Sequence, residues 1–149
     1  MKLQGLFKAE IELAPPQELG AGPLGRRRII GITGGRFYGG RLSGRVLAGG
    51  GDWQVVRDDG VADLDARYTL ETTDGALIYV RNRGYRHGPD EVLRRLAAGE
   101  NIDPSQYYMR TTPLFETGDQ RYAWLNRIIC VANGARRPAA VELEVFEVT

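Results

Sequence analysis

The sequence predicts an all-β chain: one antiparallel, closed β-barrel with one short α-helix, a single domain over residues 1–149. Three observations carry this. Apolar runs of strand length recur at near-regular spacing between turn residues, without the strand–helix alternation of parallel βαβ units. Twenty glycines in 149 residues punctuate those runs, as in a closed or strongly bent sheet, where glycine relieves corners and bulges. One long hairpin, Val61 to Arg83, favours closure, because long strands tilt and curl to close.

That hairpin organises the rest. Asp74-Gly75 between two alternating runs is a strong hairpin signal, since a type I′ turn needs φ > 0 at both central residues. A two-residue loop sets Thr73 opposite Ala76, Leu70 opposite Tyr79 and Tyr68 opposite Arg81. Side chains alternate across a sheet. One face then carries Leu64, Ala66, Tyr68, Leu70, Leu77, Tyr79, Arg81 and Arg83. The other carries Asp63, Asp65, Arg67, Thr69, Glu71, Ile78, Val80 and Asn82. The first is richer in large apolar and aromatic groups and is expected to face inward. The second mixes charge with Ile78 and Val80 and is expected to be partly covered.

The remaining elements follow in order. Residues 3–13 alternate and form a strand that Pro15-Pro16 stops. Residues 15–25 read as a long Pro/Gly-rich loop, a flap over an opening. A strand runs from about Arg27 to Thr33. Gly34-Gly35 and Gly39-Gly40 bracket Arg36-Phe37-Tyr38; with no GK[ST] ending and no helical pattern after them, they mark bends in a barrel wall, not a phosphate loop. A strand spans Leu42 to Leu47. Gly49-Gly50-Gly51 delivers Asp52-Trp53, and a strand runs on to Arg57. After the hairpin, Gly88-Pro89-Asp90-Glu91 opens a helix with Val92, Leu93 and Leu96 as its apolar stripe and Gly99 as its stop; it plugs a barrel end or rests on the wall. Tyr107 to Pro113 is a strand, 117–123 a polar turn or single helical turn, Trp124 to Asn133 a strand and Ala140 to Val148 the last one.

Net charge is +1, from 20 basic and 19 acidic residues. That balance argues against a dedicated nucleic-acid binder. Arg26-Arg27-Arg28 runs into Ile29-Ile30 and reads first as a strand start or solvated edge, with a phosphate or anion site as the weaker alternative. The lone cysteine, Cys130, lies in an apolar run and is expected to be a buried small hydrophobe. No segment approaches the roughly 20 apolar residues that span a bilayer, and the first residues alternate without a signal-peptide core. No membrane partner is expected, and a cytoplasmic location is the default.

The chemistry-bearing residues suit binding more than any motif-defined catalysis. One histidine, His87, and one cysteine offer no metal-ligand spacing, and no GxSxG elbow supports a serine triad. Neither metal nor cofactor is expected. His87 is a surface or helix-entry residue or, alternatively, a base at a pocket mouth. Asp52, beside Trp53 after the triple glycine, is placed on a pocket rim or as a turn cap. What remains is a set of phenols, guanidiniums, indoles and one carboxylate: Asp52, Trp53, Tyr68, Tyr79, Arg81, Arg83, Tyr107, Tyr108, Arg110 and Trp124. Polar-tipped aromatics with arginine suit an oxygenated ring compound or a carboxylate. The catalytic candidates are Asp52, Tyr68 and Arg81. An arginine beside Tyr68 would favour the phenolate and make it an acid or base. The bland alternative is barrel-filling aromatics with snorkelling arginines.

Two stretches carry a resemblance. IGITGGRFYGGRLSGRVLAGGGDWQVVRDDGVADLDARYTLETTDGALIYVRNRGYRHGP and YYMRTTPLFETGDQRYAWLNRIICVANGARRP resemble the UPF0311, or DUF3237, family, through their ITGG, GGxDW, ARYxLxTxDGAxIYVxNRG and PxxYYxRTTPxFET elements. The resemblance covers nearly the whole chain. It implies a small calycin-like barrel and supplies no catalytic residues to carry over.

Three expectations follow. The first is a cofactor-independent acid/base enzyme acting on a small oxygenated molecule. The second is a non-catalytic, lipocalin-like binding barrel. The third is an assembly module whose outer hairpin face is buried in a homodimer or higher homo-oligomer. A perturbed pKa on Asp52 or on a pocket tyrosine favours the first, a dry apolar pocket without convergent polar groups the second and a filled interior the third.

Overall fold

Buried and exposed residues alternate through most extended segments of the computed structural model, which describes residues 1–149. In β8 (Tyr108–Glu116) the alternation is unbroken, with Met109, Thr111, Pro113 and Phe115 buried and their neighbours exposed. Period two marks a sheet with one face on a core and one on solvent. The other strands are β1 (Leu3–Leu13), β2 (Gln17–Gly22), β3 (Gly25–Tyr38), β4 (Ser43–Val46), β5 (Gly51–Val56), β6 (Ala62–Thr72), β7 (Leu77–His87), β9 (Cys130–Arg136) and β10 (Ala140–Val148).

All pairings are antiparallel. β1 and β2 follow one another along one edge of β3. β4 and β5 follow one another between β3 and β6. Ten strands therefore fill eight wall positions in sequence order, and β1 closes on β10 from Leu3↔Val148 to Glu12↔Ala140. The result is a closed up-and-down barrel, as expected. The break between β1 and β2 is Ala14-Pro15-Pro16. The break between β4 and β5 runs through the triple glycine.

The wall bends where the glycines fall. At Gly35, φ is +137° and a Cβ would lie 2.1 Å from the Glu10 carbonyl oxygen, so only glycine lets β3 cross β1 this closely. The adjoining register shift, between Glu12 and Leu13, gives β3 one extra residue there.

Four expectations about elements change. Residues 15–25 are not a flap: Gln17–Gly22 forms β2 and hairpins onto β3, which starts at Gly25 and is longer than expected. Residues Trp124 to Asn133 are not one strand; Gln120–Arg127 is a 3₁₀ segment, and β9 starts at Cys130. Asp119 begins that segment by accepting the Arg121 N–H, and the helical turn expected within 117–123 runs on through Trp124 to Arg127. β8 starts at Tyr108 and continues past Pro113 to Glu116.

The fourth correction governs the site. The hairpin loop has three residues, Thr73–Gly75, not two. Thr72 N donates to Ala76 O at 2.9 Å, Gly75 N donates to Thr72 O at 3.0 Å, and Gly75 has φ +90°. This is the turn-plus-left-handed-glycine loop that also begins Asp-Gly. The register becomes Tyr68↔Val80, Leu70↔Ile78 and Arg67↔Arg81. A one-residue slip flips every side chain of one strand. The inner face of β6 stays Leu64, Ala66, Tyr68 and Leu70, but that of β7 becomes Ile78, Val80, Asn82 and Arg86.

The core has two parts. The larger gathers Phe7, Phe37 and Phe115, edge-to-face at 5.4 and 5.8 Å between centroids, with Leu70, Ile78, Leu125 and Cys130. The smaller holds Ala62, Leu64, Ile102, Tyr107 and Met109. The helix α1 (Asp90–Ala97) rests on the smaller cluster through Val92 and Leu96 and stops at Gly99, φ +84°. No residue of α1 is fully buried.

Candidate functional site

Between the two clusters the barrel interior holds a cavity of about 50 Å³. Its apolar lining includes Ile11, Ile32, Leu64, Met109 and Leu143; its polar lining is Asp52, Gln54, Tyr68, Asn82, Thr111, Arg86 and Arg136. Each polar residue sits on an inward position of its strand: Asp52 and Gln54 on β5, Tyr68 on β6, Asn82 and Arg86 on β7, Thr111 on β8 and Arg136 on β9.

These groups are connected. The ladder between β5 and β6 skips Trp53 and Gln54, and Asp52 takes over there. Its Oδ1 accepts the Asp65 N–H at 2.9 Å and its Oδ2 accepts Gln54 Nε2 at 3.0 Å. Gln54 Oε1 in turn accepts Arg86 Nη2 at a long 3.5 Å. Gln54 thus bridges the carboxylate and the guanidinium. Arg136 is oriented by its own Nη1, which donates to the carbonyls of Arg137 and Ala140 at 2.8 and 3.2 Å.

Burial sets the electrostatics. It raises the Asp52 carboxyl above its ordinary value, opposed by the two hydrogen bonds and the Arg86 charge. It pushes the Tyr68 phenol far up, which keeps Tyr68 in its neutral form. Burial pulls Arg86 down to about 10, helped by the charges of Arg136 and Arg28, which leaves it cationic at neutral pH. Asn82 Oδ1 and Thr111 Oγ1 are buried without a protein partner. Buried polar groups ordinarily find one, so these two are poised for a molecule in the cavity.

The structure sorts the sequence candidates. Asp52 and Tyr68 line the cavity. Arg81, Tyr79 and Arg83 lie on the outer face of β7, for the register reason given above, and Arg81 does not meet Tyr68. Arg83 lies 3.8 Å from Asp63 instead. Trp53 points out, because Asp52 and Gln54 take the inward positions of β5. Tyr108 and Arg110 are exposed, since Met109 and Thr111 hold the inner face of β8. His87 is exposed and stacks on Tyr108 at 4.7 Å. Trp124 sits in the 3₁₀ segment with the Arg41 guanidinium 3.6 Å over its ring. Tyr107 is buried, and its hydroxyl accepts the Arg136 N–H at 2.9 Å.

Five site residues escaped the sequence reading: Gln54, Asn82, Arg86, Thr111 and Arg136. Gln54 was readable as the second residue after Asp52. Asn82 and Arg86 were readable only with the right loop length. Thr111 and Arg136 come from distant strands, and nothing local marks them.

The relatives agree with this fold. A family model described as "Protein of unknown function (DUF3237)" matches residues 1–148. A UPF0311 protein of Bradyrhizobium diazoefficiens is 46% identical over 125 residues, 84% of this chain and 82% of its own. The crystal structure of a conserved protein of unknown function from Rhodopseudomonas palustris superposes with a TM-score of 0.94 at 39% identity, covering 99% of this chain and 97% of the other. A beta-barrel like protein from Acinetobacter baumannii superposes at 0.87 with 46% identity, covering 99% and 96%. With the barrel and a match along almost its whole length, the chain belongs to the DUF3237 family, whose curated relatives carry UPF0311 names.

Proposed function

We propose that the chain binds a small oxygenated organic molecule in the interior cavity and moves a proton on it without a cofactor. Asp52 is the proton acceptor and donor, because burial brings its pKa nearer to working pH. Arg86 stabilises negative charge that develops on the bound molecule. Tyr68 donates a hydrogen bond, since burial raises its pKa and disfavours the phenolate. The observation that carries the reading is the convergence of Asp52, Arg86 and the unpartnered Asn82 and Thr111 oxygens on one cavity.

The test is a titration with phenols and small hydroxyketones, watched at the Asn82 side-chain amide and the Thr111 methyl by NMR. Deuterium uptake into bound compounds from heavy water is followed alongside. At least one compound moves both signals, and its exchange falls about 100-fold or more in Asp52→Asn. Signals that no compound moves remove the assignment.

A second reading rests on one observation: both Asp52 oxygens already hold hydrogen bonds within the wall. Asp52 is then a structural member of a non-catalytic binding barrel. Binding without any exchange selects this reading.

A further inference from the structure

The cavity is not electrically neutral. Its lining carries two guanidiniums, Arg86 and Arg136, against one carboxylate, Asp52. Neither arginine has a carboxylate within ion-pair distance, although eleven other pairs of the chain do. Arg86 is 9% exposed, and its one side-chain hydrogen bond is the 3.5 Å contact to Gln54. Arg28, the third cation nearby, is already matched by Glu18 at 2.9 Å. A buried cation without a partner is costly unless something compensates it.

The same two arginines also line a second hollow of about 270 Å³, bounded by Arg28, Val56, Pro138 and α1 residues Leu93 and Leu96. Arg86 and Arg136 are the only residues common to both linings, so they stand between the inner cavity and this vestibule. An anion in that hollow faces both, with Arg28 beside them. At the opposite end the lining is Tyr68, Ile11 and Ile32 against the main core.

We propose that the cavity's ligand is a small organic carboxylate, received at the vestibule side by Arg86 and Arg136, with its body turned toward Tyr68. A single negative charge brings the lining of two cations and one carboxylate to neutrality. The planar guanidinium fork suits a carboxylate's two oxygens. Asn82 and Thr111, 4% exposed each, supply further polar contacts along the ligand's body. This rests on the cavity reading above and adds the class of molecule.

Three carboxylates are paired with their amides for the test: acetate with acetamide, benzoate with benzamide and salicylate with salicylamide. Each is titrated at pH 7 into the full chain, with the Asn82 and Thr111 signals as readout. At least one carboxylate moves both signals and binds about tenfold or more tightly than its amide, as expected for charge-assisted bonds. That advantage shrinks in Arg86→Gln or Arg136→Gln and persists in Arg81→Gln, whose side chain is on the outer face. If Arg86→Gln does not fold, the carboxylate-to-amide ratio in the unaltered chain still decides. Amides that bind as tightly as carboxylates overturn the inference, as does an advantage undiminished in both variants. If phenols or hydroxyketones reach the cavity and no carboxylate does, this inference falls alone. If nothing enters, it falls together with the cavity reading.

Discussion

Asp52 and Tyr68 show how one wall can hold two titratable groups for different work. Both are shifted upward by burial, but only Asp52 has donors and a nearby cation to hold its charged form. Asp52 also gives the fold a distinct pH signature. Its raised pKa means that, just above the ordinary aspartate range of about 3.9, the folded chain keeps a proton that the unfolded chain has released. Stability must fall as pH rises through that window and recover as pH falls back. The lowered carboxyls Asp59, Asp74, Asp103 and Asp119 act oppositely, since their contribution is lost on acidification. The difference between the unaltered chain and Asp52→Asn isolates the first effect. Melting temperatures of the two, taken between about pH 3.5 and 6, should show the unaltered chain gaining on the variant as pH falls; a difference flat across that range contradicts the raised pKa.

At the scale of elements, the hairpin decides what the site contains. Asp-Gly is compatible with both a two-residue and a three-residue loop, and composition along β7 does not choose between them. Leu77, Tyr79 and Arg81 made an attractive inner face. The competing face, Ile78, Val80 and Asn82, is in fact the buried one, with Ile78 at 0% exposure and Leu77 at 55%. The two leucine-sized residues therefore make a direct test of register. Ile78→Ala should cost about 2–5 kcal/mol, as for other fully buried aliphatic residues. Leu77→Ala should stay within about 0.5 kcal/mol. Urea denaturation of both variants measures this, and a reversed order would restore the two-residue loop. The turn itself is held from outside by the 3₁₀ segment: Tyr122 Oη donates to the Asp74 carboxylate at 2.8 and 2.9 Å, and Arg121 lies 3.2 Å from it. Arg121 and Tyr122, in the first turn of that segment, thus fix the hairpin loop.

At the scale of the molecule, closure makes the cavity. Eight wall positions meet only because β10 pairs with β1 along nearly the full length of both. Removing residues 140–149 opens the barrel and bares two long strand edges, which invite aggregation. The truncated chain should lose its near-ultraviolet circular dichroism and elute as aggregates on size exclusion; a compact monomer would show that the other staves suffice. The charge asymmetry of the interior is equally a whole-molecule property. Asp52, Arg86 and Arg136 come from β5, β7 and β9, and no local stretch contains more than one of them.

Much of this was legible beforehand. Alternation, glycine punctuation and the absence of βαβ units point to an antiparallel sheet with one buried face, which imposes period two on its strands, and the long hairpin favours closing it into a barrel. The helix at Asp90–Ala97 announced itself through Pro89 and Gly99. Asp52 stands out by its place after the triple glycine, and Tyr68 by the apolar face of its strand. The rest belonged to tertiary structure. A strand's inner face depends on its register, register depends on one residue of loop length, and Asp-Gly permits both lengths. Gln54, Asn82, Arg86, Thr111 and Arg136 become neighbours only when the wall closes, since the distances that make a buried charge partnerless are set by strands far apart in sequence.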